Sequence, residues 1–153
     1  MKKFRYSMES ILKIKLKLED QAKLAYASAR NRLTEEERKL YMMEQKKASY
    51  EQQKREHSSS KLNIRKIKQL SESIEIMKSN IKQQTVVVRA AAQRLEIARI
   101  RLEEAMIERK TQEKLKEKAW QEYMMEYEAE EQKDIDQRNS FTFSGFLLYE
   151  EDR

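Results

Sequence analysis

Ile67, Ile74, Ile81, Val88, Leu95 and Leu102 stand seven residues apart, six times in succession. Offset by three, the companion positions are Leu70, Met77, Gln84, Ala91, Ala98 and Ala105. An apolar stripe of this kind cannot be buried by the helix that carries it. A period of 3.5 residues keeps the stripe turned toward a second helix and winds the pair into a left-handed supercoil. The repeat therefore commits the second half of the chain to a long helix with a helical partner.

The first half has the same rhythm. Phe4, Met8, Ile11, Leu18, Ala22, Ala25 and Ala29 follow 3–4 spacing, with Lys15 in one core slot. Leu33 comes four residues after Ala29 and shifts the register by one. Glu36, Leu40, Met43, Lys47 and Tyr50 follow. Composition agrees with long helices. Charged residues make up 39% of the 153 and aromatics 8%, and proline is absent. Mean hydropathy is −1.00, too low for a broad globular core. The excess lies in Glu, Lys, Gln, Arg, Ala, Leu and Met, which are good helix formers.

Between Tyr50 and Leu62 no apolar residue occurs, and the gap holds the three serines Ser58–Ser60 and the one histidine, His57. A single helix crossing it would lose its seam for three turns, whereas a hairpin tip needs such a gap. Ser58, Ser59, Ser60 or Asn63 could cap a new helix by accepting from an exposed backbone N–H. A reversal near residue 59 also sets Ala22, Ala25 and Ala29 opposite residues near 96, 93 and 89. That is the alanine stretch of Ala90, Ala91, Ala92 and Ala98, and small residues on both sides let helices approach closely. The expected fold is all-α: two long helices forming an antiparallel coiled-coil hairpin, the second overhanging the first. Helix 1 is expected over about 4–55, the turn over about 56–62 and helix 2 over about 63–138, together one unit spanning 1–139. At 1.5 Å per residue the helices would be roughly 80 Å and 110 Å long.

In the overhang the seam positions turn polar at Arg109, Gln112 and Lys116. Yet Trp120, Tyr123, Met124, Met125 and Tyr127 follow, so a lone helix would present aromatics to a partner. Residues 140–153 form a Phe-rich tail, expected to be flexible, to dock on another protein or to fold back. From Glu126 onward the chain has nine acidic and three basic residues, a net of −6, while the whole chain carries +6. A basic body with an acidic end can meet partners of either sign.

No catalytic, cofactor or metal site is expected. One histidine and no cysteine cannot build a His- or Cys-based metal centre. A single glycine rules out a Gly-rich phosphate loop, and one His beside a loop supplies no Ser/His/Asp set. His57 in a serine-rich turn is expected to face solvent. Nucleic acid is suggested by a pI near 9.4, but basic residues alternate with glutamates, and no aromatic lies between Tyr50 and Trp120 to stack on bases. No specific nucleic-acid or small-molecule partner is expected. "MKKFRYSMESILKIKLKLED" opens like a signal peptide, but its charges leave no apolar core, so a cytoplasmic protein is expected. The lack of cysteine fits a reducing compartment.

"FRYSMESILKIKLKLEDQAKLAYASAR" near the N-terminus and "WQEYMMEYEAEEQKDIDQR" near the C-terminus resemble the FliJ family of flagellar type III export proteins. The likeness covers about residues 1–138. It implies an antiparallel coiled coil similar to the central stalk of rotary ATPases. It implies as partners a hexameric export ATPase, whose pore the paired termini enter, an export gate membrane protein and export chaperones. It implies a place at the inner-membrane side of the flagellar base. Met43, Tyr50, Leu70, Ile74 and Met77 then sit where the family presents gate and chaperone contacts. Each is also a seam residue that packing alone would explain. For the ATPase ring the candidates are Phe4, Tyr6, Trp120 and Tyr123, which could equally form a fold-back cluster. Alternatives are an injectisome stalk protein and a generic coiled-coil scaffold that dimerises.

Overall fold

The structure, a computed structural model, describes residues 2–59 and 63–151, with side chains through Phe146. It consists of α1 (Glu9–Ser59) and α2 (Ile64–Glu151), packed antiparallel. Packing divides the chain into two compact units. One pairs Leu18–Ser59 of α1 with Ile64–Ala105 of α2. The other joins Met1–Lys17 to Met106–Arg153.

In the first unit the α2 seam is as its repeat requires. Leu70, Ile74, Met77, Gln84 and Ala91 are buried, and Ile67, Ile81, Val88, Leu95, Ala98, Leu102 and Ala105 are half-buried. Ala91, 3% exposed, is the most enclosed apolar residue among those described, whereas Ala25 and Ala92 of the expected alanine match are exposed. Gln84 meets Glu36. Its amide Nε2 donates to the Glu36 carboxylate at 2.7 Å and to the Glu36 backbone carbonyl at 2.9 Å. Arg32, 3.0 Å away, and Lys39 at 3.5 Å neutralise the carboxylate from the solvent side. A polar pair inside a seam penalises every register that would separate its members.

The seam of α1 differs from the expected one. Its covered positions are Leu12, Lys15, Glu19, Ala22, Tyr26, Ala29, Leu33, Glu36, Leu40, Met43, Lys47, Tyr50, Lys54 and His57. These keep one 4–3 alternation throughout, so Leu33 marks no register shift. Ile11, Leu18 and Ala25 are exposed, and Leu12, Glu19 and Tyr26 take their places. The seam admits Glu19 because its headgroup is partnered, by Lys23 among others. Choosing the more apolar neighbour at each step is what produced the apparent slip.

The reversal also lies later than expected. α1 runs to Ser59, so residues 56–59 are helix rather than turn, and His57 is half-buried on the seam side. The Ser58 and Ser59 hydroxyls donate back to the carbonyls of Lys54 and Glu56. This local bonding serves the last turn of a helix that has no glycine to end it. Asn63 caps α2: its Oδ1 accepts from the Lys66 N–H at 3.1 Å. The proposed Ser60 cap lies outside the described residues. With the reversal displaced, Glu36 faces Gln84 instead of residue 82.

At its start α1 begins at Glu9, not near Phe4, and residues 2–8 are not helical. At the other end α2 continues past 138, through the Phe-rich segment and Gly145, to Glu151. One glycine costs about 1 kcal/mol against alanine, which does not stop a helix already propagating when no proline follows.

Glu36 supplies a test of the seam. The Gln84 hydrogen bond, with Lys39 and Arg32 adding to it, holds its carboxyl below the ordinary glutamate value despite burial. The folded chain therefore binds this proton less readily than the unfolded chain. Stability from Glu36 is complete above the unfolded pKa and is lost as pH falls through the lower folded one. In chemical denaturation from neutral pH into acid, the wild type should lose stability relative to Glu36→Gln. A difference between the two that is independent of pH would contradict this.

Candidate partner-binding sites

The paired-termini end lies in the unit formed by Met1–Lys17 and Met106–Arg153. Here the α2 heptads do not stop: Arg109, Gln112, Lys116, Ala119 and Tyr123 remain half-buried. What covers them is the chain before and at the start of α1. The Tyr6 hydroxyl donates to Gln112 Oε1 at 3.2 Å, and Lys116 pairs with Glu9 at 2.9 Å. Lys15 reaches Glu108 at 2.9 Å. Of the polar seam positions that were expected to mark a bare overhang, Gln112 and Lys116 are thus matched by polar residues opposite, while Arg109 pairs with Glu113 of its own helix at 2.8 Å.

Residues 2–8 are not helical, yet they keep pace with α2: Glu9 lies at Lys116 and Lys2 at Tyr123, seven residues on along each chain. This brings Phe4 onto Trp120, ring centroids 5.0 Å apart and nearly perpendicular, and within 5.4 Å of Tyr123. Trp120 and Tyr123 stack at 5.6 Å, and Tyr127 extends the row at 6.3 Å. The Tyr123 hydroxyl donates to the Lys2 carbonyl at 2.8 Å, fixing the segment at its far end. Edge-to-face and offset rings attract through their quadrupoles as well as by burial. Three of the four candidates thus form one cluster, while Tyr6 is bonded to Gln112, eight residues before Trp120. Trp120 remains 44% exposed, so the cluster is both a clasp and a surface. The Glu131 carboxylate raises the Tyr127 phenol above its ordinary range through a hydrogen bond.

Beyond the clasp α2 has no cover. Described residues from Met125 through Phe146 are exposed, Phe141 at 82%. They combine acidic side chains with Ile135, Phe141, Phe143 and Phe146.

The tip-side candidates lie in the other unit and are seam residues first. Leu70, Ile74 and Met77 are 5, 6 and 9% exposed, turned toward α1, while Met43 and Tyr50 are half-buried. Met43 and Met77 do share the floor of a surface groove with Met42, rimmed by Arg38, Lys39 and Lys46. The accessible apolar groups nearby are Tyr41, Met42 and Ile76, each more than half exposed. Reading along the seam overlooked them. The signal available was an apolar side chain off the 3.5-residue repeat.

The sequence pattern of the "Flagellar FliJ protein" family matches residues 4–145. The chain belongs to the FliJ family. No curated protein matches it. Among solved structures it is similar to a Chlamydia trachomatis protein described as a YscO homolog. The two share 22% identity and a TM-score of 0.54, over 97% of this chain and 96% of that one. At that identity the likeness speaks to the fold. Among the described residues no helix is long and apolar enough to cross a membrane.

The clasp is testable because Trp120 is the single tryptophan. Phe4→Ala should shift its fluorescence to the red and destabilise the chain by ~0.5–1.5 kcal/mol beyond the lost burial. An unchanged emission maximum would mean that Phe4 does not cover Trp120.

Proposed function

We propose that this FliJ-family protein is a non-enzymatic stalk of the flagellar export machinery. Its paired termini insert in the ring of a hexameric export ATPase, promoting ring assembly and activity. Its hairpin end meets an export gate membrane protein and export chaperones. The protein then works in the cytoplasm, peripherally at the inner membrane of the flagellar base. The observation that carries this reading is the aromatic clasp in a member of this family. Phe4, Trp120 and Tyr123 bind the N-terminal segment to α2 and still leave the indole 44% exposed and accessible to a ring wall.

No chemistry is asked of the stalk. A helix pair resists bending because its seam interlocks, so displacement at one end is transmitted rather than absorbed. Tyr6 completes the ring-facing surface. On the gate side, Met43 and Tyr50 are the accessible members of the original set. Leu70, Ile74 and Met77 support them from beneath, with Tyr41 and Met42 supplying contact area.

The fold likeness to the YscO homolog favours a second reading, a stalk of an injectisome-type export system. The two readings share the same mechanism and differ in the cognate ATPase. A reconstituted hydrolysis assay tests the common part. Wild-type chain should raise the ATPase rate at less than one stalk per ATPase subunit. Trp120→Ala with Tyr123→Ala should lower that stimulation about ten-fold while circular dichroism still reports the helices. No stimulation of the flagellar or the injectisome ATPase would contradict the proposal.

A further inference from the structure

The face of α2 turned away from α1 carries a second repeat. Ile76, Ser79, Gln83, Val86, Ala90, Gln93, Ile97 and Ile100 alternate at 3–4 spacing, and none is charged in a chain that is 39% charged. All but the half-buried Ala90 are exposed or at the edge of cover, with Val86 63%, Ile97 49% and Ile100 42% exposed. A solvated helix face has no reason to exclude charge over so many turns. A face with heptad period is suited to another helix.

The charges beside this stripe indicate which helix. Immediately preceding Ile76, Gln83, Ala90, Ile97 and Glu104 stand Glu75, Lys82, Arg89, Glu96 and Glu103; Glu75 pairs with Lys78 at 3.2 Å, and the other four form a row of two cations, then two anions. Arg99 bridges Glu96 and Glu103 at 2.6 Å each and aligns the carboxylates, which stay 57% and 59% exposed. From this order we infer that the outer face of α2 binds a second copy of this chain, antiparallel, around a two-fold axis beside Ala90 and Gln93.

In that arrangement Val86 of one copy packs on Ile97 of the other, and Gln83 on Ile100. Lys82 then meets Glu103, and Arg89 meets Glu96, each contact occurring twice by symmetry. In a parallel pairing Arg89 would instead face Arg94, a repulsive contact. The sequence is thus complementary to its own reverse along this face, which a chance run of apolar residues would not be. The face is short. With only four large apolar groups on it, Ile76, Val86, Ile97 and Ile100, it supports a weak association, a dissociation constant on the order of 100 µM. Such a dimer is a reversible association between hairpins and does not rest on the export reading.

Charge reversal tests it with the full chain. Sedimentation velocity over about 5 µM to 1 mM should show wild type passing from monomer to dimer. Lys82→Glu with Arg89→Glu makes the row wholly acidic, and Glu96→Lys with Glu103→Lys makes it wholly basic. Each double variant alone should associate at least ten-fold more weakly, by an order-of-magnitude reading of four reversed contacts. An equimolar mixture of the two should dimerise again, at least as tightly as wild type. Helix content by circular dichroism confirms that both variants fold. Wild type that stays monomeric throughout, or a dimer indifferent to either reversal, would overturn the inference.

Discussion

In a two-helix fold each seam residue has a single neighbouring helix to be buried against. No second layer exists to rescue a residue that faces the wrong way. The described apolar residues that come below one-tenth exposure are Leu12, Leu70, Ile74, Met77 and Ala91, so the margin from burial is narrow. Such a pair slides easily from one heptad to the next, because most seam residues are interchangeable. Glu36 and Gln84 are not. Sliding by a heptad leaves an amide and a carboxylate enclosed without each other, which costs more than any leucine-for-isoleucine exchange. The two residues therefore set register at the expense of a better greasy contact.

How far this could be read from sequence depended on how the seam is populated. The α2 repeat was legible because isoleucine, valine and leucine recur at every seventh position from Ile67 to Leu102. The repeat in α1 was only partly legible. Ile11 and Leu12 are adjacent, as are Leu18 and Glu19, and hydrophobicity alone prefers the wrong member of the second pair. Burial of Glu19 depends on its ion-pair partners, which belong to three dimensions. Helix ends were the least accessible. A chain without proline and with one glycine carries few stop signals, so α1 outlasts its apolar stripe to Ser59 and α2 passes through Gly145. The candidate site divides the same way. The aromatic composition of the termini was visible, while the cover of Trp120 by a non-helical N-terminal segment was not, since nothing before Glu9 announces that the helix starts late.

A consistent separation of duties emerges. Seam positions hold the helices together, and the residues available for partners lie elsewhere. Leu70, Ile74 and Met77 are committed to packing, which leaves Tyr41 and Met42 free. At the other end Trp120 does both, packed on one face by Phe4 and open on the other. The uncharged outer stripe of α2 adds a third surface, distinct from the seam by half a helical turn. Within each unit packing and partner contact need not compete, because a helix pair leaves most of each circumference uncovered.

All of this requires that α1 lie beside α2 in the register set by Glu36 and Gln84. Spin labels at Glu37 and Gln83, diluted with unlabelled chain so that only pairs within one molecule count, measure this directly. Helix axes side by side are about 10 Å apart, so with the label arms the separation should fall near 20–30 Å. One continuous helix between the labels would put them about 70 Å apart at 1.5 Å per residue. That longer distance would contradict the fold and every surface derived from it.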